Sequence, residues 1–355
     1  MFNIARLELA RNRRRYTAKH LAELAGVAPV TLSRVVNRQQ DPDEQTIEKL
    51  IAALKFPKAF FFKDDVDPID ASAASFRSLT SMTARERDAA LSAGSLAYEM
   101  ADWVRGRYNL PPADLPDLGQ GRDPAGAART LRQHWSMGEK PVGNMIKLLE
   151  TKGVRVFSLS ENTKNVDAFS CWRNGEPYIF LNTFKTAERS RFDAAHELAH
   201  LVMHKHGGPQ GRAAEVEAHQ FASSFLMPKA DVLSTIPFVT NLDQIVKAKK
   251  RWGVSVAALA HRLHKMKLLS DWQYRSFCIQ INRNFGIGEP DGLPQERSSV
   301  WQMVLTDLWK SGITRRDIAT ELNIPNDEVE NLLFGLTGEV APPARSGGRP
   351  NLKSV

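Results

Sequence analysis

The sequence predicts a mainly α protein with a small β-sheet, an α+β fold. Three observations carry this. Apolar residues recur at helical spacing along most of the chain. Only between about 154 and 182 does the pattern shift to three short runs rich in β-branched and aromatic residues, VRVFSL, DAFSCWR and PYIFLN. With 355 residues, 42% hydrophobic and 25% charged, the chain is long enough for several domains and buries at least one sizeable core. The punctuation predicts five segments: a helical module over 1–62, a helical connector and linker over 63–140, the sheet-bearing core over 141–268, a helical unit over 269–338 and a disordered tail over 339–355.

Composition narrows the chemistry. The N-terminus lacks an apolar stretch with a small-residue cleavage site, and no run approaches the roughly 18 apolar residues of a membrane span, so a cytoplasmic protein without membrane contact is expected. Cys171 and Cys278 stand far apart in unlike contexts, which points away from disulfides and cysteine metal knuckles. Any metal is left to His and carboxylate. The net charge of +8 is uneven: residues 1–40 hold eight Arg or Lys against two Glu, a clustered field that attracts phosphates.

Inside that basic block, Ile4, Leu7 and Ala10 begin a first helix, and Thr17 caps a second that ends at Gly26. Pro29 opens a third helix with Leu32, Val35 and Val36 facing inward, and Ile47, Leu50, Ile51 and Leu54 mark a fourth. Two short helices across a glycine turn form a helix-turn-helix. The stretch LAELAGVAPVTLSRVVN resembles the XRE, or Cro/repressor-type, modules, which implies a five-helix domain that binds double-stranded DNA, commonly as a homodimer. On that reading Val30, Thr31, Ser33, Arg34 and Asn37 face the major groove, with Arg34 suited to a guanine edge and Val30 to a thymine methyl. Arg13, Arg14 and Arg15 are expected on phosphates. Many such repressors carry Gln where this chain has Pro29, so the familiar Gln-to-adenine contact is absent.

Apolar-periodic stretches such as RERDAALSAGSLAYEMADWV predict helical connectors, and YNLPPADLPDLGQGRDPAGA, with its Pro and Gly, a surface linker. Helices are expected in AARTLRQHW and VGNMIKLLETKG. The three strands follow, the last two joined at Asn174-Gly175-Glu176, and then a helix from about Ala187.

That helix contains FDAAHELAHLVMHKH, four of the nine histidines. His196 and His200, four residues apart, project from one helical face a turn apart and can hold one zinc ion. Glu197 lies beside them, placed to take a proton from water. Zinc needs a third protein ligand. His206 has the spacing of the metzincin pattern, but Met203 stands where that pattern has Gly. The better source is AAEVEAHQFASSFLMP, an amphipathic helix ended by Pro228, which offers Glu217 or Glu215.

HELAHLVMH followed by EAHQFASSFLMP resembles the ImmA/IrrE metallopeptidases. The resemblance implies a zincin-like, gluzincin-type core in which His196, His200 and Glu217 bind Zn2+ and Glu197 is the general base. His219 stands where the family usually has Asn or Asp. The implied chemistry is zinc-assisted peptide hydrolysis, with Glu197 carrying the proton from water to the leaving amine. His204, His206 and Tyr178 are candidates for a second oxyanion donor, and PYIFLN for an edge strand that pairs with substrate. The implied partner is a protein substrate, a repressor or antitoxin, in a transcriptional or stress-response switch. The competing reading is a transcription factor whose metal site is structural or sensing.

Beyond the core, residues 312–336 repeat a helix-turn-helix rhythm but carry five acidic residues against two Arg, which suits packing or a protein partner better than DNA.

Overall fold

The computed structural model describes residues 1–69, 75–76, 83–119, 122–159, 168–205, 211–286 and 288–338, with the backbone alone described at 75–76. The expectations for His206, the tail 339–355 and parts of the connector fall outside these residues. The fold class is as predicted, mainly helical around one small sheet.

The first module has four α-helices, α1 (Ile4–Arg13), α2 (Ala18–Ala25), α3 (Pro29–Val36) and α4 (Glu44–Leu54), and the expected fifth helix is a single 3-10 turn at Lys58–Phe62. Five residues between Pro57 and Lys63 leave no room for an α ladder, yet they seat Phe60 and Phe61 fully in the core. Local chemistry places each end. Asn3, Thr17 and Asp43 accept from the first backbone N–H groups of α1, α2 and α4. Gly26, at φ 59°, closes α2 in the left-handed region, and Pro29 starts α3.

Helix α5 (Ala84–Arg105) packs against α1, and its buried stretch of Ala, Ser and Gly also approaches the sheet. Small residues are required there: a Cβ on Gly94 would lie 2.2 Å from Ile69 and 3.3 Å from the rings of Phe169 and Phe180. After α5 the Pro-rich linker is pinned to the core by Asp114 N donating to Lys152 O (3.0 Å) and Leu118 N to Val202 O (2.8 Å). Gly153, at φ 79°, lets that strap pass, since a Cβ would sit 2.2 Å from Pro112 O.

Helices α6 (Pro124–His134) and α7 (Met145–Thr151) lead to strands β2 (Arg155–Ser158), β3 (Ala168–Arg173) and β4 (Glu176–Leu181), and the two-residue β1 (Ser75–Phe76) completes the order β1-β3-β4-β2. The hairpin turns on Asn174 and Gly175, both at positive φ. Strand β4 is interior, antiparallel to β3 and parallel to β2, so the expectation of a substrate-pairing edge in PYIFLN is corrected: both of its backbone sides are paired. Alternation sends Phe169 and Cys171, with Phe180 and Tyr178, toward α5, where Tyr98 meets Cys171 at 3.0 Å. Ser170 and Trp172 face α8 (Ala187–Met203), where Trp172 Nε1 donates to Leu201 O (3.1 Å).

Helix α8 is buried along almost its whole length and packs on α9 (Arg212–Leu226), β3 and β4. Its first turns are anchored by α11 (Leu242–Trp252): Lys249 bridges Glu188 (3.2 Å) and Glu289 (3.0 Å), and Arg191 donates to Trp252 O (3.2 Å). Helices α10 (Lys229–Thr235), α12 (Val256–Lys265) and α13 (Asp271–Phe285) follow. The C-terminal unit, α14 (Ser299–Lys310), α15 (Arg315–Leu322) and α16 (Asn326–Leu333), docks on the sheet. Buried Glu150 accepts from Ser299 N (2.9 Å) and Val300 N (3.1 Å) at the start of α14. No helix among the described residues is long and apolar enough to cross a membrane.

Candidate metal centre and DNA-reading face

On α8, His196 and His200 project onto one face as their spacing dictates, 2% and 7% exposed, with their Nε2 atoms 3.2 Å apart. The carboxylate that meets them comes from Glu215 on α9, Oε2 at 3.0 Å from His196 Nε2 and Oε1 at 3.4 Å from His200 Nε2. These separations suit one ion: four-coordinate zinc with bonds of about 2.0–2.1 Å puts neighbouring ligand atoms about 3.3 Å apart. Two imidazoles and a carboxylate are also the ligand set of a hydrolytic zinc site, with a position left for water. Among the described residues this is the one group of three or more such side chains fitted to a metal. Burial raises the Glu215 pKa, but the hydrogen bonds to His196 and His200 outweigh it and hold the carboxyl well below the ordinary range.

Glu217, the third ligand that the family resemblance implies, does not face the pair. Its Oε2 lies 3.1 Å from His204 Nε2, and His204 Nδ1 in turn lies 2.9 Å from His200 Nδ1. Two residues along a helix are about 200° of rotation, so with Glu215 on the pair Glu217 is turned elsewhere. Burial pushes the His204 pKa below its ordinary value, against the raising effect of Glu217.

Glu197 is buried, 1% exposed, between α8 and the sheet. Ser170 Oγ donates to its Oε2 (2.7 Å) and approaches its backbone carbonyl (3.3 Å). Ser170 was missed in the sequence, although its place in the alternation of β3 marks it as facing the histidine helix. Of the three oxyanion candidates, Tyr178 lies on the opposite face of the sheet with its hydroxyl on Glu176 (3.2 Å), His204 is engaged as described, and His206 is outside the described residues. The His219 ring packs 4.9 Å from Phe192 and 5.4 Å from His261.

On the first module Val30, Ser33, Arg34 and Asn37 stand exposed along α3, and Thr31 is half-buried beside them. Asn37 Nδ2 donates to Ser33 Oγ (3.3 Å). Arg14 is not a free phosphate contact: it pairs with Asp327 (2.6 Å) and Glu328 (3.4 Å) of α16 and stacks over Phe56. Arg13 pairs with Glu328 (2.7 Å), whereas Arg15 is exposed in the α1–α2 turn. Part of the basic cluster is therefore neutralised within the chain, by the acidic unit that the sequence shows at 312–336.

Residues 149–264 match the peptidase M78 family model, the IrrE N-terminal-like domain, and residues 7–61 match a helix-turn-helix family model. The chain joins an XRE-type helix-turn-helix domain to an IrrE/ImmA-like domain. The span matched to the IrrE-like domain takes in the three clustered side chains, Glu197 and Ser170, and the helix-turn-helix span takes in the whole exposed face of α3. The M78 family is generally zinc-dependent. No curated protein matches the chain.

Proposed function

We propose that this chain is a DNA-bound regulator whose IrrE-like domain is a zinc endopeptidase of gluzincin type, cutting a partner regulatory protein, a repressor or antitoxin, in the cytoplasm where the operator lies. The observation that carries the reading is the convergence of His196, His200 and Glu215 beside a buried carboxylate, Glu197. A purely structural site needs no carboxylate buried next to its first ligand.

When bound, zinc would polarise the scissile carbonyl and acidify water. His196 and His200 would hold it through their facing imidazole nitrogens, and Glu215, from a second helix, would supply the negative ligand. Glu197 takes the proton of the attacking water on its carboxylate and hands it to the leaving amine nitrogen. Ser170 fixes the rotamer of that carboxylate through Oε2. On the DNA side Val30, Thr31, Ser33, Arg34 and Asn37 read base edges, Arg15 meets phosphate, and two copies bind paired half-sites as a homodimer.

The test incubates zinc-loaded wild type and Glu197→Gln with candidate repressors and antitoxins. Wild type is expected to cleave one of them, and the variant to bind zinc equally and cleave none. If wild type binds zinc, represses its promoter and cleaves nothing, the metal site is structural or sensing.

A further inference from the structure

We propose that His204 and Glu217 are positioning residues for His200, forming with it a three-member relay that fixes the tautomer and orientation of one metal ligand and not of the other. The inference rests on the zinc-site reading above and adds residues to it. With a cation on the shared centre, one proton order follows. His200 Nε2 faces His196 Nε2 at 3.2 Å and Glu215 at 3.4 Å, so its lone pair points to the shared centre and its proton sits on Nδ1. That Nδ1–H donates to His204 Nδ1, 2.9 Å away, which must then be an acceptor. The His204 proton is thereby placed on Nε2, where it donates to Glu217 Oε2 at 3.1 Å. The reverse order would leave the lone pair of His204 Nε2 facing the Glu217 carboxylate, two acceptors with no proton between them.

The chain runs outward from the buried His200 through His204, whose side chain is 8% exposed, to Glu217 at 30%. It also crosses from the end of α8 to α9, the helix that supplies Glu215, so the carboxylates at 215 and 217 bind the two helices at successive points. His196 differs: among the described residues its buried Nδ1 has no hydrogen-bond partner. A hydrogen bond to the far nitrogen raises the basicity of a ligating imidazole and holds its plane, and loss of such a partner costs typically about 10- to 100-fold in metal affinity.

The test measures zinc affinity and stoichiometry by competition with a chromophoric chelator, with the cobalt(II) spectrum as a second readout. The proteins are the full-length wild type, Glu215→Ala, Glu217→Gln, His204→Phe, His204→Gln and the double variant His204→Phe/Glu217→Gln, each checked by circular dichroism. Expected are one zinc per chain with affinity lowered about 10- to 100-fold in His204→Phe. Glu217→Gln should lose less, and His204→Gln, which keeps an acceptor for His200, should recover part. The double variant should be no weaker than His204→Phe alone, because the two residues act in series. Unchanged affinity in His204→Phe and Glu217→Gln, or additive losses in the double variant, overturns the relay while leaving the site intact. Loss of stoichiometric zinc in the Glu217 variant but not in Glu215→Ala makes Glu217 the ligand and also overturns it. A wild type that binds no zinc defeats the underlying site reading instead.

Discussion

Ser170 and Glu197 are joined by a 2.7 Å hydrogen bond that crosses from the sheet to the histidine helix, both partners buried. The bond restrains a carboxylate that the proposed mechanism needs in one orientation. Ser170→Ala is expected to lower kcat by about tenfold, the equivalent of one hydrogen bond to a charged group, with KM and zinc affinity unchanged. Steady-state kinetics on an identified substrate check this, and a change in KM alone would contradict it.

Zinc should stabilise the fold. A ligand that binds only the native state adds about 2.7 kcal/mol when present at a hundredfold excess over its Kd. Thermal unfolding with and without zinc is expected to show a rise in Tm for wild type and Glu197→Gln, and none for His196→Ala or Glu215→Ala. Chelation should return wild type to the apo Tm.

Arginines in the first module divide by partner. Arg34→Ala should relax base preference by about 1–3 kcal/mol, read in competition binding on variant operators. Arg14→Ala should leave the salt dependence of DNA binding unchanged, because its guanidinium is engaged by Asp327 and Glu328. Arg13→Ala removes one of the two guanidinium partners of Glu328, whose side chain is 1% exposed, and should cost about 1.5–3 kcal/mol in urea unfolding, since Arg14 still faces that carboxylate.

Asp231 gives a pH signature away from the centre. Its carboxylate accepts from Arg251 (2.6 Å) and Trp252 Nε1 (2.7 Å), and Arg251 foremost holds its pKa below the ordinary value against the opposing effect of burial. A depressed carboxylate pKa stabilises the fold fully above the unfolded value, about 3.9, and that stabilisation fades as pH falls through the folded one. Asp231→Asn is expected to be less stable than wild type by about 1–3 kcal/mol at neutral pH. Denaturation midpoints of the two should converge below about pH 4.

Much of this was legible in the sequence. Helical periodicity, Gly26, Pro29 and the capping residues located the first four helices, and the four-residue interval put His196 and His200 on one face. The choice between Glu215 and Glu217 was not legible, because it depends on the rotation of α9 about its axis, set by packing against α6 and α8. His204 was visible as the next member of the His196–His200 face, yet its partner depends on that same rotation. The fate of Arg13 and Arg14 rests on contacts more than 300 residues apart in sequence, beyond any local pattern.

The two rungs between β1 and β3 pair residue 75 with Ser170 and residue 76 with Phe169. Residue 75 is thus paired with the backbone of the very residue that steadies the proposed base. A slip of this short strand along β3 would therefore change the rung at Ser170 and, with it, the seat of the Glu197 carboxylate.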